Sequence, residues 1–276
     1  MLHCNGDSTM ATAFSDASRT PADIKAPSHL LALTELPRAF AEFASLPLAA
    51  PLLARAPRGD GHSVLVLPGF ITTDASTAVL RGFLKRLGYD AHEWGLGRNL
   101  GPRAIGREGE KLVAKLEELH EQCGHRVSLV GWSLGGVMAR LVAQRVPEAV
   151  RQVITLGSPF TGSPRATNVW RTYEWLTGQR VDDPHTRSQI RESATPLPMP
   201  ATSIYSKGDG IVAWQNCLEP TGPLAENIEV RGSHCGLGVN PSVLYAVADR
   251  LSQPEGAWLP FNCSGVKGWV YPAGNA

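Results

Sequence analysis

Arg126-Val127-Ser128-Leu129-Val130-Gly131-Trp132-Ser133-Leu134-Gly135-Gly136-Val137-Met138-Ala139-Arg140 holds an apolar run that stops at a glycine-bracketed serine and resumes at helical spacing. Residues 127–130 are β-rich and short, the signature of a buried strand, whereas Val137, Leu141, Val142 and Val146 recur at helix-like intervals. A sharp turn therefore falls at Ser133. Such a turn forces the serine into strained backbone geometry and requires glycine on either side, because a Cβ at Gly131 or Gly135 would meet the adjoining strand or helix. The result is a Gly-x-Ser-x-Gly elbow that exposes Oγ at a helix N-terminus, with the backbone N–H of Leu134 aimed where an oxyanion would develop.

Outward from the elbow, strands are expected at 63–67, 91–94, 150–156, 201–205 and 228–231. Helices are expected at 74–87, where Asp74 caps, at 103–122 and at 241–251. Strand–helix alternation at this spacing gives an α/β fold with a parallel sheet wrapped on both faces. Alternation lapses at 159–200, after a strand's carboxyl end, and this stretch is expected to cover the site as a lid. Trp170, Tyr173 and Trp175 lie on a helix within it and, with Trp132, are the candidate substrate-pocket residues; the three in the insertion fit equally well as anchors for it. Residues 1–27 read as a flexible tail and 28–276 as one domain. The chain turns apolar from Leu30, and a helix capped by Thr34, with Pro37 in its first turn, carries the stripe Leu36, Phe40, Phe43 and Leu46, expected to dock on the core, with a transient lipid-surface contact as the other reading.

A serine hydroxyl needs an imidazole as base and a carboxylate to orient it, and in elbow folds these follow in the order serine, acid, histidine. After the insertion only His234 remains, between glycines in Arg231-Gly232-Ser233-His234-Cys235-Gly236. Asp182, Asp183, Glu219 and Glu226 compete for the acid role, but Asp209 sits in a glycine-rich turn directly after a strand, with Ile211 and Val212 to shield it. The second oxyanion donor is expected at Phe70, where Pro68-Gly69-Phe70 follows the 63–67 strand.

With Gly131-Trp132-Ser133-Leu134-Gly135-Gly136, Asp209-Gly210-Ile211-Val212 and Ser233-His234 assembled, the chain resembles the α/β-hydrolase superfamily, in particular its bacterial lipase and esterase group. The resemblance runs from about Ser63 to Leu251 and implies a sheet of about six strands and carboxylic ester hydrolysis by Ser133, Asp209 and His234, with oxyanion donors at Phe70 and Leu134. Pro68-Gly69-Phe70 stands where that group often has His-Gly. Acyl transfer, thioester hydrolysis and silent lipid or partner binding are the rival readings.

Related lipases sometimes staple the acid and base loops. Cys217 and Cys235 invite the same bridge here, against the alternative of reduced thiols. Five cysteines lack metal-type spacing, so no metal or other cofactor is expected. The net charge of +1 carries no footprint for nucleic acid, and the partner expected is a small-molecule or lipid ester. No apolar stretch is long enough to span a bilayer, and the absence of a visible signal peptide points to the cytoplasm.

Overall fold

The computed structural model describes residues 24–265 and 267–272 of the protein, so most of the tail expected at 1–27 lies outside the described residues. Six strands, β1 (Ser63–Leu67), β2 (Asp90–Glu93), β3 (Val127–Trp132), β4 (Val150–Leu156), β5 (Ala201–Tyr205) and β6 (Ala225–Glu229), pair in the order β2-β1-β3-β4-β5-β6. Every pairing is parallel. β1, β4 and β5 are buried along their whole length and β3 along all but its last residue, Trp132, as strands covered on both faces must be, and this is why they read as largely apolar runs.

The helices are α1 (His29–Leu33), α2 (Glu35–Ala44), α3 (Leu46–Leu53), α4 (Ala78–Leu87), α5 (Pro102–Ile105), α6 (Glu110–Cys123), α7 (Leu134–Arg145), α8 (Trp170–Thr177), α9 (Pro184–Ala194), α10 (Pro241–Leu251) and α11 (Lys267–Val270). On one face of the sheet Leu53, Leu80, Leu84, Val243 and Val247 from α3, α4 and α10 pack on Val64, Val66 and Val130. On the other, Leu112 and Leu116 of α6 and Met138 and Val142 of α7 pack on Leu65, Leu67 and Leu129. Ser133 thus emerges at the carboxyl end of a central strand, where parallel sheets place ligands.

Several local expectations change. The helix expected over 103–122 is split, because Gly106 and Gly109 adopt left-handed backbone between α5 and α6. Asp74 opens a single 3-10 turn ahead of α4 and accepts from the amides of Trp94 (3.0 Å) and Gly95 (3.3 Å), so it ties two loops together instead of capping a helix. The polar stretch inside the insertion forms α9, with Asp183 capping it at the His185 amide. Arg140 on α7 donates to the carbonyls of Ser193 and Thr195, Gln144 donates to Thr195, and Arg145 pairs with Glu192, so α9 is bound to the elbow helix.

The largest departure concerns α2, whose stripe residues Leu36, Phe40 and Phe43 face outward, while the fourth, Leu46, opens α3 and packs against the core as expected. Leu36 is 73% exposed, Phe40 72% and Phe43 50%, whereas Glu35 is only 2% exposed. Thr34 makes no cap bond and instead donates its hydroxyl back to the carbonyls of Leu30 and Leu31. Docking occurs through the polar face, where Glu35, Arg38 and Glu42 lie against the chain around Gly208, Gly210, Ser233 and Cys235. Among the described residues no helix is long and apolar enough to cross a membrane.

Candidate active site

The turn after β3 holds Ser133 at φ 54, ψ −122, one of two non-glycine residues with positive φ among the described residues. Glycines make this turn fit. A Cβ on Gly131 would stand 2.4 Å from the Gly136 Cα, and one on Gly135 would stand 2.6 Å from the carbonyl oxygens of Leu67 and Pro68. Backbone cannot yield as a side-chain tip does, so Gly131→Ala should cost about 3 kcal/mol of stability. Denaturant unfolding beside wild type would measure it, and an unchanged midpoint would mean that the elbow relaxes freely.

His234 and Asp209 converge on this serine. His234 Nε2 lies 3.0 Å from Ser133 Oγ and Nδ1 lies 2.6 Å from Asp209 Oδ2. An ionised carboxylate only accepts, so Nδ1 carries the proton and Nε2 presents its lone pair to the serine. Asp209 is almost fully buried, and its second oxygen accepts from the amides of Ile211 (2.8 Å) and Val212 (2.7 Å). Burial opposes protonation of His234, but the Asp209 carboxylate, aided by Glu35, outweighs it and holds the imidazole above its ordinary value.

Each competing acid is engaged elsewhere. Asp182 pairs with Arg165 and Arg187, Asp183 caps α9, and Glu226 pairs with Arg250. Glu219 is buried against Arg140, where burial pushes its carboxyl up to about 7.

Pro68-Gly69-Phe70 crosses directly over the elbow, and a Cβ on Gly69 would lie 3.5 Å from the Ser133 Cβ. The backbone amides of Phe70 and Leu134 have no acceptor among the described residues. Ile71, the other positive-φ residue, donates its amide to Asn99 (2.8 Å), and the buried Asn99 side chain donates to the Pro68 carbonyl (2.8 Å). Asn99 thereby fixes this loop, a role without a sequence signal beyond a polar residue in a glycine-rich stretch.

A cavity of about 140 Å³ opens beside Ser133, with a predominantly apolar lining that includes Phe70, Leu134, Val137, Met138, Trp170 and Tyr173. The Tyr173 ring lies 5.4 Å from the Phe70 ring, centre to centre and tilted by 50°, and burial pushes its phenol up to about 12. Two of the four aromatic candidates fall elsewhere. Trp132 does not line this cavity: its indole N–H donates to the His234 carbonyl (3.1 Å), so it braces the histidine loop. Trp175 is 80% exposed, because on α8 it sits two residues beyond Tyr173 and so faces another way. The bridge between Cys217 and Cys235 is not formed. Cys217 is buried with Tyr205 and Val212 on the acid side, while the Cys235 amide is engaged by Glu35 on α2.

A second serine–histidine–aspartate set occurs at the opposite end of β3. His62 Nε2 lies 2.8 Å from Ser128 Oγ, and His62 Nδ1 bonds Asp60, which also accepts from Arg151. Ser128 is fully buried in the sheet and does not line the cavity beside Ser133. This set joins the start of β1 to β3. Among the described residues no group of three or more histidine, cysteine or acidic side chains is placed to hold a metal ion.

A family model described as the PGAP1-like alpha/beta domain matches residues 110–195, which span α6, the elbow and the insertion. No curated protein matches the chain. Among solved structures, Aspergillus fumigatus lipase B superposes with a TM-score of 0.55 at 18% identity, over 71% of this chain and 54% of that one. The chain thus spans about half the length of that lipase. A structure from a study of LipS and LipT, two metagenome-derived lipolytic enzymes, gives a TM-score of 0.47 at 17% identity, covering 65% of this chain and 88% of the other. The thioesterase domain from the curacin biosynthetic pathway gives 0.47 at 14% identity, covering 70% and 92%. The chain has the α/β-hydrolase fold, as the resemblance of its motifs implies.

Proposed function

We propose that the protein is a serine hydrolase that cleaves carboxylic esters, an esterase or lipase with an apolar acyl site, through an acyl-enzyme on Ser133. The observation that carries this reading is the hydrogen-bonded line from Asp209 through His234 to Ser133, which ends beside an apolar cavity. Ser133 Oγ attacks the ester carbonyl while His234 Nε2 takes its proton. The carbonyl electron pair moves onto oxygen, where the amides of Phe70 and Leu134 receive it. Each such donor is worth roughly 100- to 1000-fold in turnover. Collapse expels the alcohol, which leaves with the proton from His234. Water then attacks the acyl-enzyme, with the same imidazole as base, and releases the acid and free serine.

The insertion carrying α8 and α9 serves in this reading as the cover of the acyl site. Trp170 and Tyr173 supply its apolar wall. The bonds between α7 and the end of α9 fix that part of the cover and leave α8 as the part that can move.

Hydrolysis of p-nitrophenyl esters from acetate to palmitate tests the proposal. Turnover is expected, with an acid limb in kcat/KM above the ordinary histidine value, since His234 must be neutral to act as base and its pKa is raised. Turnover of acyl thioesters in preference to oxygen esters would move the assignment to thioesterase. Absence of both turnover and covalent labelling by a fluorophosphonate would overturn it.

A further inference from the structure

The polar face of α2 is built against the two loops that carry Asp209 and His234. Glu35 Oε1 accepts from the Gly210 amide (2.7 Å) and Oε2 from the Cys235 amide (2.8 Å). These are the residues directly after Asp209 and His234. One buried carboxylate therefore bridges the acid loop to the base loop. Arg38 donates to the Gly208 carbonyl (2.7 Å) on the other side of Asp209. Glu42 takes the residue before the histidine, accepting from both the Ser233 amide and hydroxyl at 2.7 Å, while its second oxygen accepts from Asn240 (2.9 Å).

Glycines in both loops make room for this helix region. A Cβ on Gly210 would stand 2.4 Å from the Leu31 carbonyl carbon, and one on Gly236 would stand 2.3 Å from Glu42 Oε2. Bonds of a carboxylate to amides, made away from water, are among the stronger ones in proteins, and an unpaired buried acceptor is costly. That energetic weight explains why α2 presents its charged face inward and leaves Leu36 and Phe40 outside.

We propose that α2 is a clamp on the catalytic loops, in which Glu35 and Glu42 are positioning residues that set the spacing between Asp209 and His234 and hold the imidazole over Ser133. The clamp rests on the hydrolase reading above for its catalytic consequence. The charged and titratable groups around His234 are Asp209 on the acid loop, with the Cys217 thiol behind it, Glu35, Arg38 and Glu42 on α2, and the Cys235 thiol on the histidine's own loop. The elbow contributes Ser133 and Trp132, neither of them charged.

Glu35→Gln in the full chain provides the test, since an amide can accept from only one of the two loop N–H groups and places an NH2 against the other. Expected are a fall in kcat of about 10- to 100-fold with KM little changed, because a misplaced base costs turnover more than binding. The acid limb should move to lower pH, because a negative charge beside His234 has gone. Amide exchange at Gly210 and Cys235 should accelerate. Phe40→Gln, on the outer face of the same helix, should leave all three readouts at wild-type values. Should Glu35→Gln fail to fold, Glu42→Gln carries the same kcat and exchange test, read at Ser233. A folded Glu35→Gln protein with wild-type kcat, acid limb and exchange would overturn the clamp. A wild type that neither turns over nor labels would instead overturn the hydrolase reading and the catalytic half of this one, while exchange at Gly210 and Cys235 would still decide whether the loops are held.

Discussion

Ser133→Ala should abolish ester turnover to within background, a loss on the order of a millionfold by analogy with other serine nucleophiles, and should abolish fluorophosphonate labelling with it. The two losses are linked because both need the same oxygen. No other group near His234 Nε2 can take over, since that nitrogen lies 3.0 Å from Ser133 Oγ and the remaining lining of the cavity is largely apolar. Removing one hydroxyl from a half-buried turn should leave the fold intact, and circular dichroism with a thermal scan would confirm it. Residual labelling in a folded Ser133→Ala protein would move the nucleophile elsewhere. Residual turnover without labelling would point to water attacking directly.

Asp209→Asn should lower kcat by roughly 10,000-fold while leaving KM close to wild type. The carboxylate does two jobs. It accepts from His234 Nδ1 at 2.6 Å, fixing the tautomer that leaves Nε2 free, and it accepts from the amides of Ile211 and Val212, fixing the loop. An asparagine can keep Oδ1 on the loop amides only by turning its NH2 toward the imidazole, which then protonates at Nε2 and can no longer act as base. The raised pKa of His234 owes most to Asp209 among its favourable contributions, so the remaining activity should show an acid limb displaced to lower pH. Steady-state kinetics over a pH series would measure both effects. A loss of less than tenfold would mean that another carboxylate serves, and Glu35 would be the first to test.

The elbow, the six strands, with β6 beginning three residues earlier than expected, and the three residues of the hydrogen-bonded line were legible because each is encoded locally. A fully buried parallel strand reads as an apolar run, and β4, β5 and α10 fall on the residues expected. Asp209 and His234 follow from chain order and glycine-rich loops. What was not legible depends on partners far away in sequence. Periodicity shows that α2 has two faces, yet which of them is buried was decided by amides some 170 to 200 residues further on, at Gly210, Ser233 and Cys235. Trp132 and Trp175 misled for the same reason, since aromatic character marks a residue that prefers contact without saying with what. The helix α9 hides in a polar stretch because its apolar contribution is small and its attachment to α7 is made through arginine and backbone carbonyls.

The line Asp60–His62–Ser128 places the same three residue types in the same order as the line at the elbow, within one strand's length of it. The molecule therefore contains its own matched control for the proposal that Ser133 is the nucleophile. Proton relay geometry is common to both, whereas solvent access, an adjoining cavity and two unoccupied amides belong to Ser133 alone. The duplication has a practical side for anyone locating a covalent adduct. Trypsin cleaves after Arg126 and Arg140, so both serines leave in one fourteen-residue peptide, and intact peptide mass cannot tell them apart. Fragment ions that break the backbone between Ser128 and Ser133 are what tell an adduct on one serine from an adduct on the other.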